Sequence, residues 1–179
     1  MGTLTMAQRR QDFEAMLKRA DLARATVSSW RATAPDVPGK SLAKLARDVT
    51  ELCDAWVSAA HRARSRNPGD HTQRRAVAVA VDCLSLLDDI GAADPVKEVV
   101  DASVDETLGP LTLREDLHVP AVERISRLLV YLAGVAENYD YGTDEDCHLA
   151  IKDVTALLAS KAICAALAAE RGLWQEEES

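Results

Sequence analysis

An all-α fold, a bundle of five or six helices with long antiparallel neighbours, is what this sequence predicts, and three observations carry the prediction. Apolar residues recur at alternating three- and four-residue spacing through most of the chain, the period that lines one face of a helix. Only 4% of the residues are Phe, Trp or Tyr, so Ala, Val and Leu must fill the core, which suits closely packed helices better than aromatic-rich strands. Strand-like alternation occurs in one run, "AVAVAV" at 76–81, and no second such run stands near it to pair with.

The elements follow in order. Thr5 with Gln8 makes a capping box, after which Phe13, Met16, Ala20, Ala23, Val27 and Trp30 stripe one long helix from about residue 6 to 32. "TAPDVPG" ends it, because two prolines and a glycine force a loop. Leu42, Leu45, Val49, Leu52, Trp56, Ala59 and Ala63 then stripe a second long helix, over about 40–66. The pair reads as an antiparallel hairpin with coiled-coil-like packing.

"AVAVAVDCLSLLDDIG", Ala76 to Gly91, is read as a third helix despite its first six residues, because Val77, Val81, Leu84 and Leu86 or Leu87 continue at helical spacing and Gly91 is placed as a C-terminal stop. Asp94 as N-cap and Pro95 at the first helical position open a shorter helix with Val96, Val99, Val100 and Val104. "GPLTLREDLHVP" is a connection whose leucines should lie against the core. Pro120 opens a helix striped by Val122, Ile125, Leu129, Leu132, Ala136 and Tyr139. "DYGTDEDC" turns the chain, with Thr143 as cap and Asp144, Glu145 and Asp146 in the next first turn, where the helix dipole favours negative charge. The last helix runs through Ile151, Val154, Leu158, Ala162 and Ala165 to Arg171 and stops at Gly172. The expected organisation is therefore a single helical domain over 1–172 and an acidic tail over 173–179, "LWQEEES" with its approach.

At 179 residues the chain is long enough to bury a continuous core without disulfides or metal. Cys53, Cys83, Cys147 and Cys164 form no CxxC pair and have no histidine at zinc-finger spacing, so they read as reduced thiols on helix faces. The N-terminus lacks the apolar run of a signal peptide, and nowhere do about 18 uncharged apolar residues follow one another. A cytoplasmic protein of bacterial type, with no membrane contact, is expected. The net charge of −8 conceals a split: residues 1–75 carry 14 Lys or Arg against 8 Asp or Glu, and residues 76–179 carry 7 against 21. The halves should neutralise each other within the fold or between subunits, or the basic half should meet a polyanion.

Few constellations suggest chemistry. Glu115 with His118 and Glu145 with His148 have the Glu-x-x-His spacing of di-iron bundles, yet neither pair sits in mid-helix. Glu98 with Asp101 and Glu137 with Asp140 are the kind of paired carboxylates that hold Mg²⁺, but no dense block of four can be assembled on facing helices. No P-loop, GxGxxG, GxSxG or HExxH is present. No cofactor and no metal are therefore expected. "LKRADLARATVSSWRA", Leu17 to Ala32, resembles the recognition half of a helix-turn-helix, which makes a DNA-binding regulator one alternative.

The sharpest basic cluster is 61–75, "HRARSRNPGDHTQRR". Within it "RNPGDH" resembles the Arg-Asn-x-x-x-His motif of the HEPN superfamily, helical-bundle proteins that include metal-independent ribonucleases of toxin and antiviral systems. The resemblance implies a site shared between two subunits. In it Arg66 would stabilise charge on a scissile phosphate, His71 would act as general acid or base, and Asn67 would orient them. A purely structural reading covers the same residues: Asn67 before Pro68 leaves the helical region, Gly69 permits the turn, and Asp70 with Gln73 caps the next helix.

The leading expectation is a non-enzymatic helical protein of interaction or oligomerisation, a homo-oligomer or the holder of a helical partner. Its candidate surface is the two long helices, 6–32 and 40–66, and its assembly should loosen as salt screens the charges. A HEPN-like ribonuclease, with RNA held by the cluster 61–75, is the enzymatic alternative.

Overall fold

The computed structural model describes residues 5–31, 39–61, 69–104, 120–137 and 145–171. Six helices are found among them: α1 Met6–Arg31, α2 Gly39–His61, α3 Gly69–Asp89, α4 Pro95–Val104, α5 Pro120–Glu137 and α6 Glu145–Arg171. The fold is all-α. The acidic tail and the connections at 32–38, 105–119 and 138–144 lie outside the described residues.

The helix ends are built by the side chains that the sequence singles out. At the start of α1 the Thr5 backbone N–H donates to Gln8 Oε1 at 3.0 Å and the Gln8 N–H donates to Thr5 Oγ1 at 3.2 Å, the reciprocal pair of a capping box. Asp94 Oδ1 accepts from the Lys97 N–H at 3.1 Å, and Pro95 takes the first position of α4, where a missing N–H costs nothing. After α3, Gly91 adopts a φ of 86°. The Ala92 N–H then reaches Leu87 O at 2.9 Å and the Gly91 N–H reaches Asp88 O at 3.0 Å, the two bonds of a Schellman stop. The φ at Gly91 is one that a Cβ would resist.

Packing centres on α3 and α6, which lie against each other along most of their length. Helix α1 leans on both, α2 packs on α3, α4 packs on α6, and α5 bridges α6 and α2. The central position of the pair explains its composition. Every residue from Val79 to Leu87 is buried, and so is every residue from Leu158 to Ala169; Asp82 and Lys161 are the charged residues in these segments, and both are buried. Alanines at 159, 162, 165, 166, 168 and 169 let neighbouring helices approach α6 closely. The alternation in "AVAVAV" therefore reflects a helix surrounded by others, with Ala76, Val79, Ala80 and Val81 buried.

Much of the two long stripes is spent inside. Phe13, Met16, Leu17 and Ala20 of α1, and Leu45, Val49, Leu52 and Trp56 of α2, all belong to the shared core. Phe13, Met16 and Ala20 of the first stripe and Leu45, Val49, Leu52 and Trp56 of the second are thus turned inward, while Ala23 is exposed and the side chains of Val27, Trp30, Ala59 and Ala63 lie outside the described residues. The second helix also ends at His61, short of residue 66.

Candidate functional site

Of the HEPN-like motif, Arg66 and Asn67 lie outside the described residues. His71 stands in the first turn of α3 and is exposed. Helix α3 begins at Gly69, one residue ahead of the expected cap. Two neighbours in the basic cluster have inward roles: Thr72 is buried and its Oγ1 donates to Ala55 O at 3.5 Å, and Arg75 pairs with Glu51 of α2. Part of the cluster thus stitches α2 to α3.

Glu98 and Asp101 are each taken up by a lysine. Glu98 pairs with Lys152 at 3.4 Å and Asp101 with Lys97 at 2.8 Å. No group of three or more His, Cys, Asp or Glu able to hold a metal is found among the described residues. Glu115, His118 and Asp140 lie outside them. Within "LKRADLARATVSSWRA", Leu17 and Ala20 are core residues, and Arg24 binds Asp21 at 2.8 Å and Asp88 at 3.3 Å.

One polar constellation does form in the interior. Lys44 of α2 contacts Asp48 one turn on, at 3.2 Å, and also Asp82 of α3. The Asp82 side chain is 3% exposed, in the middle of the apolar run of α3. Burial, followed by its contact with Asp48, pushes its pKa up to about 7, against the pull of Lys44. Burial alone would raise Asp48 too, but hydrogen bonds from Asp82 and Lys44 and the charges of Lys44 and Arg47 hold it below the usual carboxylate range. Lys44 is raised, since its two acids outweigh the burial that would lower it. One arrangement satisfies all three groups: Asp82 keeps a proton on Oδ2 and donates it to the Asp48 carboxylate, while Lys44 stays cationic. It also accounts for Asp82 Oδ2, which as a carboxylate oxygen is buried with no hydrogen-bond donor. The cluster lies between α2 and α3 with the Lys44 side chain 37% exposed, and a protonated lysine is no nucleophile. A shallow cleft of about 240 Å³ does open on the surface, but it lies elsewhere, between α1 and α6, and is lined by Asp12, Met16, Arg19 and Glu170 among others.

The surface anomaly is on α5. From Leu128 to Ala136 the helix reads "LLVYLAGVA", nine residues without a charge. Ile125 and Leu132 point into the core. Val130 is 73% exposed and Tyr131 58%, and Ala133 and Gly134 beside them are exposed as well. A helix on a water-facing surface ordinarily sets polar residues opposite its buried stripe; α5 does so at Arg124 and Arg127 but not along 128–136. Leu22, Val57 and Leu149 are also exposed, but they stand on α1, α2 and α6, and single exposed apolar residues are ordinary. Sequence reasoning followed the inward stripe of α5 and missed this outward one; the uncharged nonapeptide was the available signal.

No protein-family model, no curated protein and no solved structure matches the chain. No helix among the described residues is long and apolar enough to cross a membrane.

Proposed function

We propose that the chain is a non-enzymatic α-helical interaction protein whose docking face is the outward side of α5. The observation that supports this reading is the exposure of Val130 and Tyr131 together with Ala133 and Gly134 on a helix with no charged residue between Arg127 and Glu137. Fully covering a valine or a larger apolar side chain contributes roughly 2 kcal/mol, and contiguous apolar patches on otherwise polar surfaces mark places where another surface fits. The interior charges favour the same reading from the other side. Lys44 of α2 reaches Asp82 of α3 as well as Asp48, so these charges have a structural role in holding α2 on α3.

The test is photocrosslinking of the full chain in the cells that make it, from a photoreactive side chain placed at position 130, with one at position 97 as control. Lys97 is 70% exposed on α4, remote from the uncharged run in sequence and on another helix. A discrete adduct from position 130 and none from position 97 is expected. Equal labelling from both positions, or no adduct from 130, refutes the reading.

A further inference from the structure

Resting on the α5 docking face, we propose that its occupant is a second copy of this chain, whose α5 crosses the first antiparallel about a two-fold axis at the level of residue 132, with Val130 of each copy seated over Gly134 of the other.

Gly134 is the first reason. A glycine within a helix costs about 1 kcal/mol relative to alanine, and neither space nor backbone calls for it at this position: among the described residues a Cβ built at Gly134 meets no atom within 4 Å, and its φ is not positive. Glycine in such a place lets another backbone or a bulky side chain come close. Among the described residues nothing fills the space over Gly134, which leaves room there for another molecule.

The second reason is that the face is complementary to itself. In an antiparallel helix pair, facing positions add to a constant. Centring the pair at the level of residue 132 puts Val130 across from the partner's Gly134, while Tyr131 and Ala133, on opposite flanks of the seam, each lie beside their own copy. A large residue then meets a small one at the centre of the seam, and does so twice. The same register sets position 127, an arginine, across from position 137, a glutamate. These are the conditions of an isologous two-fold interface, in which each contact is made twice. A parallel, in-register pairing is worse on both counts, since valine would meet valine over an empty glycine hole and arginine would meet arginine.

The face spans about three turns, so the association is weak and dependent on concentration, at the low end of specific interfaces. The experiment is sedimentation equilibrium of the purified full chain from about 1 to 500 µM. Wild type should distribute between 19.4 kDa and twice that mass. Gly134→Val should raise the dissociation constant by about tenfold or more while the circular dichroism melt remains cooperative, since nothing among the described residues opposes the added side chain. The exchanged variant Val130→Gly/Gly134→Val, which moves the knob and the hole to each other's places, should bring it back to within about threefold of wild type. A chain that stays monomeric over the whole range, or an exchanged variant as weak as Gly134→Val, overturns the proposal. An adduct from position 130 with a mass other than twice the chain's, alongside a monomeric purified chain, overturns the second copy and leaves the docking face standing. No adduct at all overturns both.

Discussion

Asp82→Asn should make the protein's stability less sensitive to alkaline pH than the wild type's, although it removes an acid that contacts a lysine. Asp82 is buried in the core-facing run of α3 with a folded pKa of about 7, against an ordinary value of 3.8. The folded state therefore binds this proton more tightly than the unfolded chain does. A proton held more tightly by the folded state stabilises it wherever the group is protonated when folded, and that contribution drains away as pH climbs from the unfolded value toward the folded one. The slope is about 1.4 kcal/mol per pH unit, so the wild type should lose roughly 3 kcal/mol between about pH 5 and pH 8. Asparagine keeps the shape and puts an Nδ2–H where protonated Asp82 has its Oδ2–H, so the bond to Asp48 survives at every pH.

Urea unfolding followed by circular dichroism at the two pH values measures the effect, and subtracting variant from wild type cancels histidines and other groups that titrate in both. From pH 5 to pH 8 the difference should move in favour of Asn by about 2 to 3 kcal/mol. Asp48 does not blur the window. Its folded pKa is depressed, so its contribution is complete above the unfolded value and is lost only as pH falls below about 4. Identical pH slopes for wild type and Asp82→Asn would refute the shared-proton account of the cluster, and so would a wild type that gains stability from pH 5 to 8 relative to the variant.

Other expectations follow from the same contacts. Ser160 Oγ is buried with no hydrogen-bond partner, so Ser160→Ala should be neutral or stabilising by up to about 1 kcal/mol, where a hidden partner would make it cost more than that in a urea titration. Gly134→Ala should stabilise the single chain by about 1 kcal/mol and yet weaken its self-association, a pair of opposite effects read by a thermal melt of dilute protein and by sedimentation. RNA incubated with the protein in EDTA should remain intact on a gel; cleavage that disappears in His71→Ala would instead establish the ribonuclease alternative. Raising sodium chloride from about 0.05 to 0.5 M should leave the self-association no weaker, because apolar burial is not screened and exposed ion pairs contribute only about 0 to 1 kcal/mol.

What the sequence disclosed and what it withheld divide by range. Thr5 with Gln8, Asp94 with Pro95, and Gly91 each act on backbone groups within four or five residues, so their roles were legible locally. The Lys44 to Asp48 contact, one turn apart, was legible in the same sense. Asp82 is different: an acid amid "AVAVAVDCLSLL" announces that it needs a partner, but the partner stands 38 residues away on α2, and nothing local names it. The periodic stripes told which residues of α1 and α2 are apolar in phase without telling whether the phase faces a core or a partner. That was decided by α3 and α6, whose burial on all sides demands that α1 and α2 cover them. For the HEPN-like motif only His71 can be placed, exposed at the start of α3.

The charge split has a consequence for assembly that differs from the one expected of it. Basic residues of the first 75 meet acids of the remainder inside one molecule, Arg24 at Asp88 and Lys44 at Asp82, so opposite halves have less need to find each other between molecules. Two copies of a chain carrying −8 repel at long range, and the repulsion is least where the local surface carries no acid. From Arg124 to Val135, α5 has two arginines and no Asp or Glu, and its outward apolar residues lie in that interval. A second acidic copy can therefore approach this apolar face without meeting an acid between Arg124 and Val135. Screening relieves the long-range repulsion while leaving the apolar contact intact, so salt should not dissolve an assembly built on α5 as it would one built on opposite charges.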